Sequence, residues 1–255
     1  MRYLRFQDKD GKKSYGILEG ETITRLEGDL FGEHRPTGEK LPLGDVRVLA
    51  PCEPSKIVAV GLNYAAHAAE AGETPPPTPL LFFKPSTCVI GPEEDIEYPP
   101  AVTRLDYECE LGVVIGKRAK FVKEEDVDDY ILGYTCCNDV SARNLQWTEG
   151  QWARGKGLDT SGVIGPVITD EVDPGNLHIQ TRLNGEVKQD SNTSDLIFKI
   201  PRIIACITEV MTLLPGDVVM TGTPSGISPM EDGDVVEVEV EGIGVLRNKV
   251  VKVRP

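Results

Sequence analysis

Histidine is scarce in this chain of 255 residues, which contains only three. A metal site built from several imidazoles, a common ligand set of catalytic zinc, is therefore hard to assemble. The six cysteines form no C-x-x-C pair, so a thiolate zinc site is not indicated. Several of them stand in apolar, strand-like runs. We expect them to be reduced, small core residues in a cytoplasmic protein.

Positive charge is also in short supply. The chain has 27 Lys and Arg against 41 Asp and Glu, for a formal net charge of −14. An acidic surface repels phosphate backbones and anionic lipid, so binding to nucleic acid or to a membrane surface is not expected. No apolar run approaches the roughly 18 residues of a membrane span. The chain turns polar directly after Met1–Arg5, which predicts no signal peptide.

Short β-branched and apolar runs dominate, which predicts a β-rich α+β protein rather than an alternating βαβ fold. We predict a small N-terminal β subdomain over residues 1–50 and a catalytic domain over residues 51–255, because prolines at 51 and 54 mark a boundary. The predicted strands of the second domain are residues 56–61, 80–84, 107–115, 131–138, 163–168, 179–183, 217–221, 235–240 and 245–253. The predicted helices are residues 63–71, 123–130, 141–146 and 200–214.

Two glutamates flank a cysteine at the start of an apolar run, where Glu108 and Glu110 precede Leu-Gly-Val-Val-Ile. Because side chains two apart on a strand share one face, these carboxylates converge while Cys109 turns away. Asp139 follows about one hairpin-length later. Carboxylates held together in an apolar layer repel each other, so a proton or a cation must compensate. Three oxygen donors suit magnesium, manganese or calcium far better than zinc or copper.

The same spacing also describes a strand whose acids are simply solvated. The chain contains such a case in residues 237–241, where valine and glutamate alternate. We interpret that segment as a half-buried antiparallel strand with an exposed acidic face. The Glu108 region differs because a continuous apolar run follows it. A metal site and a solvated face both stay open for it at this point.

A second candidate group is the pair His67 and Glu70, three residues apart on a short alanine-rich helix. A carboxylate beside an imidazole raises its basicity and selects its tautomer, as in a general base. A solvated surface pair would have the same spacing. We predict Asn63 as the N-cap of this helix and Gly72 as its end. With the proline-rich residues 74–79, the helix is typical of a lid.

Two lysines and one turn are further candidates. Lys156 stands between glycines and could neutralise an enolate oxygen, and Lys84 lies near a strand end. Either could instead be solvated. Residues 150–156 match the spacing of a phosphate loop, but Gly157 replaces its Ser or Thr and no buried strand precedes it, which argues against nucleotide hydrolysis. The turn at residues 221–226 can present backbone N–H groups to a carboxylate. The chain has no G-x-S-x-G elbow of a serine hydrolase.

These motifs, taken in order, make the chain resemble the fumarylacetoacetate hydrolase family, over roughly residues 55–253. The similarity is carried by Gly61-Leu62-Asn63-Tyr64, His67, Lys84-Pro85-Ser86, Asp106-Tyr107-Glu108-Cys109-Glu110-Leu111, Asn138-Asp139-Val140-Ser141-Ala142-Arg143, Gln146, Gly155-Lys156-Gly157 and Thr221-Gly222-Thr223-Pro224.

The resemblance implies a mixed β-sandwich roll of the type of that family's C-terminal domain, usually a homodimer, with the short N-terminal part resembling that of bacterial single-domain members. It implies Mg²⁺ or Mn²⁺, with Ca²⁺ as a substitute, held by Glu108, Glu110 and Asp139. It also implies His67 and Glu70 as a lid pair that positions water, Lys156 as support for the substrate's enolate, and Lys84, Arg143, Gln146 and Thr223 as substrate contacts.

The activity implied is on 2-oxo and 2,4-dioxo acids through a metal-stabilised enolate, with hydrolysis of a C–C bond of the acylpyruvate or fumarylpyruvate type as the first expectation. Leu62 and Ala66 depart from acylpyruvase-like members, which often carry Arg and an acid there. Leu62 is closer to the branch that isomerises or decarboxylates unsaturated 2-oxo dicarboxylates. Open alternatives are therefore a 2-hydroxyhepta-2,4-diene-1,7-dioate isomerase or 5-oxopent-3-ene-1,2,5-tricarboxylate decarboxylase of aromatic catabolism, and an oxaloacetate decarboxylase or tautomerase. A non-catalytic β-rich binding protein is the alternative from another class.

Overall fold

The computed structural model describes residues 1–253, which contain twenty strands and four short α-helices. The strands are β1 Arg2–Gln7, β2 Lys13–Glu19, β3 Thr22–Gly28, β4 His34–Pro42, β5 Arg47–Val48, β6 Lys56–Gly61, β7 Leu80–Pro85, β8 Val89–Ile90, β9 Ile96–Tyr98, β10 Leu105–Asp106, β11 Cys109–Ile115, β12 Ile131–Asp139, β13 Ser141–Ala142, β14 Gly162–Thr169, β15 His178–Leu183, β16 Glu186–Asn192, β17 Val218–Met220, β18 Pro229–Met230, β19 Val235–Val240 and β20 Gly244–Lys252. The helices are α1 Ala65–Glu70, α2 Arg143–Thr148, α3 Ala153–Lys156 and α4 Ile200–Val210. Four 3₁₀ segments are Leu43–Asp45, Ser86–Cys88, Glu124–Tyr130 and Thr193–Asp195.

Most strands belong to one mixed sheet of 12 strands, with the path β4-β3-β2-β1-β14-β12-β11-β17-β6-β7 and with β5 and β8 at its side. Strand β1 pairs antiparallel with β14, so the N-terminal strands extend the sheet that carries the rest of the chain. A second sheet has the order β16-β15-β19-β20-β9. Its strands β15, β19 and β20 pack on β11, β12 and β14, which makes the two-layered arrangement of a sandwich.

The alternation of side chains along β11 separates two cores. Leu111 and Val113 are buried in the cluster shared with the five-stranded sheet, beside Val238 and Leu246. Val114 points to the other face and belongs to a separate buried cluster. Glu110 has the same parity as Val114, so the fold directs its carboxylate away from the sandwich core.

The β-rich class predicted from the sequence is confirmed, and the predicted strands and helices are found with shifted ends. The predicted helix at residues 123–130 is a 3₁₀ segment, and α4 ends at Val210 rather than at residue 214. It ends early because the backbone of Leu213 pairs with that of Ala119 in an isolated bridge. Strand β19 is confirmed as half-buried, since Val238 and Val240 are buried and the glutamates on its acidic face are not.

Five of the six cysteines are buried and all six are free thiols, as the sequence predicted. Burial raises the pKa of the Cys52, Cys109 and Cys136 thiols to about 12, so these groups stay protonated and unreactive at neutral pH. Among residues 1–253, no helix is long and apolar enough to span a bilayer.

Asn63 is not the N-cap of α1, contrary to the prediction. The helix begins at Ala65 without a side-chain cap. The Asn63 amide is fully buried and instead donates to the carbonyl oxygens of Thr221 at 2.7 Å and Phe198 at 3.1 Å. Its oxygen accepts from the Phe198 N–H at 2.8 Å. Asn63 therefore ties the start of the lid to two distant loops.

Asn63→Ala is expected to destabilise the protein by roughly 1–3 kcal/mol, because it leaves the Phe198 N–H and two carbonyl oxygens buried with fewer partners. Unfolding in denaturant measures this loss. Asn144→Ala is the control, since Asn144 makes two side-chain hydrogen bonds against the three of Asn63, and both are exposed to solvent. Equal losses in both variants would show that the buried position of Asn63 is not what matters.

Candidate metal centre and substrate cleft

Two neighbouring strands bring the three predicted metal ligands together. In the antiparallel pair of β11 and β12, Cys109 lies opposite Asn138. This register places Glu108 opposite Asp139, whose N–H donates to the Glu108 carbonyl oxygen at 2.9 Å. Glu110 lies two residues further along the same face. Each of the three acids has an oxygen within 4.8 Å of the others, and all three are buried.

The backbone that carries these acids is anchored on both sides. The Tyr107 hydroxyl bonds the carbonyl oxygen of Gly226 at 2.9 Å. The N–H of Glu108 donates to the side chain of Asn138 at 3.0 Å, and the N–H of Cys109 donates to the side chain of Gln189 at 3.0 Å. These buried bonds hold the acids in place even though residues 107–108 lie between two strands.

Three buried cations surround two of the three acids. The Nζ atom of Lys156 lies 2.7 Å from both Glu108 Oε2 and Asp139 Oδ2. The Nζ atom of Lys84 lies 2.7 Å from Asp139 Oδ1. Nη2 of Arg143 donates to Glu108 Oε1. Glu108 and Asp139 are thus each paired with two cations.

Glu110 is the exception. Within residues 1–253 it makes no salt bridge, and its Oε2 accepts one hydrogen bond, from the N–H of Gly222 at 2.6 Å. Burial raises its pKa well above the usual range, and repulsion by Asp139 and Glu108 adds to the shift. The turn at residues 221–226, which the sequence left open as a carboxylate-binding turn or a plain one, donates the Gly222 N–H to the carboxylate of Glu110.

The charged neighbours of each group determine the direction of its pKa shift. Burial would raise the pKa of Glu108, but Arg143 and Lys156 more than offset it and hold this pKa below its usual range. Burial would lower the pKa of Lys156, but Asp139 and Glu108 raise it above its usual value. At neutral pH Lys156 is therefore an ammonium and Glu108 a carboxylate.

The donor set fits a hard divalent cation. It consists of carboxylate oxygens, and oxygens bound to one such ion lie no more than about 4–5 Å apart. Glu110 lacks a counter-ion. Within residues 1–253, Asp139 Oδ1 is buried and forms no hydrogen bond, and its contact with Lys84 Nζ at 2.7 Å is an ion pair. A small cavity of about 30 Å³, lined by Glu108, Glu110 and Lys156 among others, adjoins them.

This small cavity is the floor of a larger cleft of about 680 Å³. Both are lined by Leu62, His67, Arg143, Gln146 and Trp152. The outer part of the cleft is lined in addition by Glu70, Ala71, Glu73, Leu80, Arg104, Trp147 and Ile227. A groove of about 650 Å³ crosses the N-terminal strands, but the one cluster of metal-ligating side chains found within residues 1–253 lies in the cleft.

His67 and Glu70 form the predicted pair, with Nδ1 of His67 at 3.1 Å from Glu70 Oε2. A carboxylate can only accept, so this contact selects the tautomer with the proton on Nδ1 and leaves Nε2 as a base. The other oxygen of Glu70 accepts from the Gly226 N–H at 3.0 Å. His67 is 7% exposed and lines both the cleft and its floor.

The predicted substrate contacts fall into two groups. Arg143, Gln146 and Thr223 line the floor cavity. The Gln146 oxygen accepts from Arg143 at 2.8 Å, which leaves its NH₂ group for a ligand. Lys84 is fully buried and bonds Asp139 and the carbonyl oxygens of Val140 and Lys156. In this structure it supports Asp139 from behind rather than lining the cleft.

The sequence interpretation gave no role to Asp106 and Arg104, which continue the site outward. Asp106 is fully buried and accepts from Nε of Arg143 at 3.0 Å and from Nε of Arg104 at 2.9 Å. A signal for them is present in the chain. Residues 104, 106, 108 and 110 all carry charge at the two-residue period already noted for the two glutamates. The aromatic walls Trp147 and Trp152 had no comparable signal.

Comparison with known proteins gives concordant results along the whole chain. The family model described as "Fumarylacetoacetate (FAA) hydrolase C-terminal" matches residues 56–251, and "Rv2993c-like, N-terminal" matches residues 1–51. The mitochondrial oxaloacetate tautomerase of Rattus norvegicus is 42% identical over 244 residues, or 90% of this chain and 78% of that protein.

Two solved structures are informative. The 2-hydroxyhepta-2,4-diene-1,7-dioate isomerase of Mycobacterium marinum superposes with a TM-score of 0.92 and 43% identity, covering 99% of this chain and 98% of that one. The maleylpyruvate hydrolase of Sphingobium, solved in complex with manganese(II) and pyruvate, gives 0.82 and 29% over the full length of both chains.

Proposed function

Because the chain belongs to the fumarylacetoacetate hydrolase family, we propose that it is a divalent-metal enzyme that hydrolyses a C–C bond of a 2,4-dioxo acid of the acylpyruvate or fumarylpyruvate type. The observation that carries the proposal is the convergence of three buried carboxylates, two of which line the floor of a cleft that also holds the His67–Glu70 pair. We propose Mg²⁺ as the ion, with Mn²⁺ as an alternative.

Glu108, Glu110 and Asp139 would hold the ion. When bound, such an ion acts as a Lewis acid toward the oxygens of a 2-oxo acid and stabilises the enolate that forms when the C–C bond breaks. Lys156 supplies a second positive charge at the same place, fixed by two buried carboxylates before the substrate arrives. The Gln146 NH₂ and the Thr223 hydroxyl remain as donors that orient the substrate.

His67 is the proposed base. Its Nε2 accepts a proton from water, whose oxygen then adds to the carbonyl at position 4 of the substrate. The bond between carbons 3 and 4 breaks, its electron pair becomes the enolate, and a proton returns to carbon 3 to give pyruvate. Glu70 stabilises the imidazolium that forms and, through Gly226, holds His67 over the floor cavity.

A second candidate is isomerisation, tautomerisation or decarboxylation of a 2-oxo dicarboxylate such as oxaloacetate. A specific observation favours it. The relatives named as an isomerase and as an oxaloacetate tautomerase are 43% and 42% identical, whereas the maleylpyruvate hydrolase is 29% identical. In such a reaction the same enolate forms without addition of water, and His67 moves a proton to or from carbon 3.

A substrate screen separates the two. The Mg²⁺-loaded protein is incubated with acylpyruvates, oxaloacetate and a hydroxymuconate-type diene. Products of hydrolysis and decarboxylation are identified by mass, and isomerisation or tautomerisation, which leaves the mass unchanged, is followed by ultraviolet absorbance. Pyruvate release from acylpyruvates is expected. Turnover of oxaloacetate or the diene without pyruvate release from acylpyruvates would transfer the assignment to the second candidate. No turnover of any 2-oxo acid with Mg²⁺ or Mn²⁺ would favour a binding protein.

We also propose a homodimer that acts in the cytoplasm on a small 2-oxo acid. Large apolar side chains on the surface support self-association, since Phe121 and Val210 are each 72% exposed and Phe83 is 51% exposed. Light scattering after gel filtration measures the mass, and a value of one chain at micromolar concentration would contradict the dimer.

A further inference from the structure

The outer cleft contains an arginine, Arg104, that two neighbouring side chains hold in place. Nε and Nη2 of Arg104 donate to the two oxygens of Asp106 at 2.9 and 3.0 Å. The guanidinium also stacks on Trp147, with Cζ 5.2 Å from the ring centroid. Nη1 makes no hydrogen bond within residues 1–253, and the side chain is 37% exposed. Arg104 therefore presents an oriented donor toward the cleft.

Asp106 links this arginine to Arg143 at the floor of the cleft. One oxygen of its buried carboxylate accepts from Arg104 and also from Arg143, whose other nitrogens reach Glu108 and Gln146. Arg143 lines the floor cavity, whereas Arg104 lines only the outer cleft. The two guanidiniums thus extend outward from the metal-ligating acids.

The other charged groups of the outer cleft do not compete for this position. Glu70 is close enough to attract Arg104 electrostatically, but its two oxygens are bonded to His67 and to the N–H of Gly226. Glu73 is exposed to solvent at the edge of the cleft. The remaining walls include the apolar side chains of Leu62 and Ile227. An anion bound against Arg104 would therefore lie between a fixed cation and apolar walls, where a charge-assisted hydrogen bond is strengthened.

We propose that Arg104, held flat by Asp106 and Trp147, is a specificity-determining residue that binds a carboxylate at the far end of the substrate. This inference rests on the proposed function, because it takes the near end to be a 2-oxo acid at the metal-ligating acids. It predicts that this chain binds 2-oxo dicarboxylates more tightly than 2-oxo monocarboxylates of equal length.

Binding can be measured without turnover. The chain has two tryptophans, and both Trp147 and Trp152 line the cleft, so intrinsic fluorescence reports its occupancy. The Mg²⁺-loaded protein is titrated with matched pairs, for example 2-oxoglutarate and 2-oxopentanoate, and 2-oxoadipate and 2-oxohexanoate. We expect at least one dicarboxylate to bind about 10–100-fold more tightly than its partner, the range for one hydrogen bond to a charged group.

Arg104→Met is expected to remove this preference by weakening the dicarboxylate about 10–100-fold while leaving the monocarboxylate within twofold. Arg104→Lys should restore part of it. Trp147→Leu is expected to weaken the dicarboxylate only about 2–5-fold, since it removes the stacking and leaves the charge, and it is followed by the fluorescence of Trp152. Arg154→Met is the matched control, because Arg154 is an exposed cation nearby that pairs with Glu149.

The outcomes distinguish this inference from the proposed function. Equal binding of both members of every pair, or an equal loss of both in Arg104→Met, overturns the role of Arg104 while the enzyme assignment stands. A dicarboxylate preference that depends on Arg104, in a protein that turns over no 2-oxo acid, supports the subsite and removes the function. If none of the 2-oxo acids changes the fluorescence, both the role of Arg104 and the proposed function are overturned.

Discussion

Glu110→Gln is expected to weaken binding of Mg²⁺ or Mn²⁺ at least about 100-fold and to abolish turnover with it, because even outer-shell partners of metal ligands are worth 10–100-fold. Glutamine keeps the size of the side chain and its contact with the Gly222 N–H, but it removes a buried acid that no cation balances within residues 1–253. Isothermal titration measures the affinity. Metal at 100 times the wild-type Kd should stabilise the wild type by about 2.7 kcal/mol and the variant by no more than about 0.4 kcal/mol.

Without metal, the Glu110→Gln variant should be more stable than the wild type. Burial and the neighbouring carboxylates raise the pKa of Glu110, so its charge opposes folding at neutral pH, and the neutral glutamine should raise the Tm. Glu239→Gln is the matched control, because Glu239 has the same two-residue spacing on β19 but lies at the surface and pairs with Arg182. Unchanged metal affinity in Glu110→Gln would falsify the metal centre.

His67→Gln is expected to reduce kcat for hydrolysis about 10²–10⁴-fold, the usual contribution of a general base. The amide nitrogen and oxygen fill the space of the ring but cannot take a proton from water. Metal affinity should stay within about threefold, since His67 is not a ligand in the proposed site. The limb of the pH–rate profile that reports the base should disappear from the variant.

Glu73→Gln is the control for His67, because Glu73 belongs to the same lid segment and lines the cleft without touching the imidazole. It should leave kcat within twofold. Glu70→Gln tests positioning, and we expect it to lower kcat while metal affinity stays within about threefold, since the amide no longer selects the tautomer with the proton on Nδ1. Full activity in His67→Gln, with the metal still bound, would assign the proton transfer to another group.

The convergence of the three acids is the part of this protein that local pattern predicted best. The period of a strand is two residues, so the spacing of Glu108 and Glu110 places both on one face in any strand. The apolar run after Glu110 indicated burial, which the structure confirms. The alternating acids of β19 have the same spacing but are followed by no such run, and they remain at the surface.

Predictions of which groups a side chain contacts were less accurate, because the contacting residues lie far apart in the chain. Asn63 has a residue type and position typical of a helix cap, yet its bonds go to residues 198 and 221. Lys84 was predicted to contact substrate, a role that stays a prediction, while its ammonium lies beside Asp139. A side chain with several donors binds whatever acceptor the fold brings closest, and local spacing does not contain that information.

The sequence by itself determined which atoms are available: carboxylate oxygens at strand spacing, an imidazole with a carboxylate three residues away, and a net charge of −14. Only the tertiary structure decided how they are matched. Within residues 1–253 it left Glu110 without a cation while giving Asp139 and Glu108 two each, and it set Arg104 against Asp106 and Trp147. The physical reason is that burial makes charges depend on their nearest neighbours, and those neighbours are chosen by sheet register and packing.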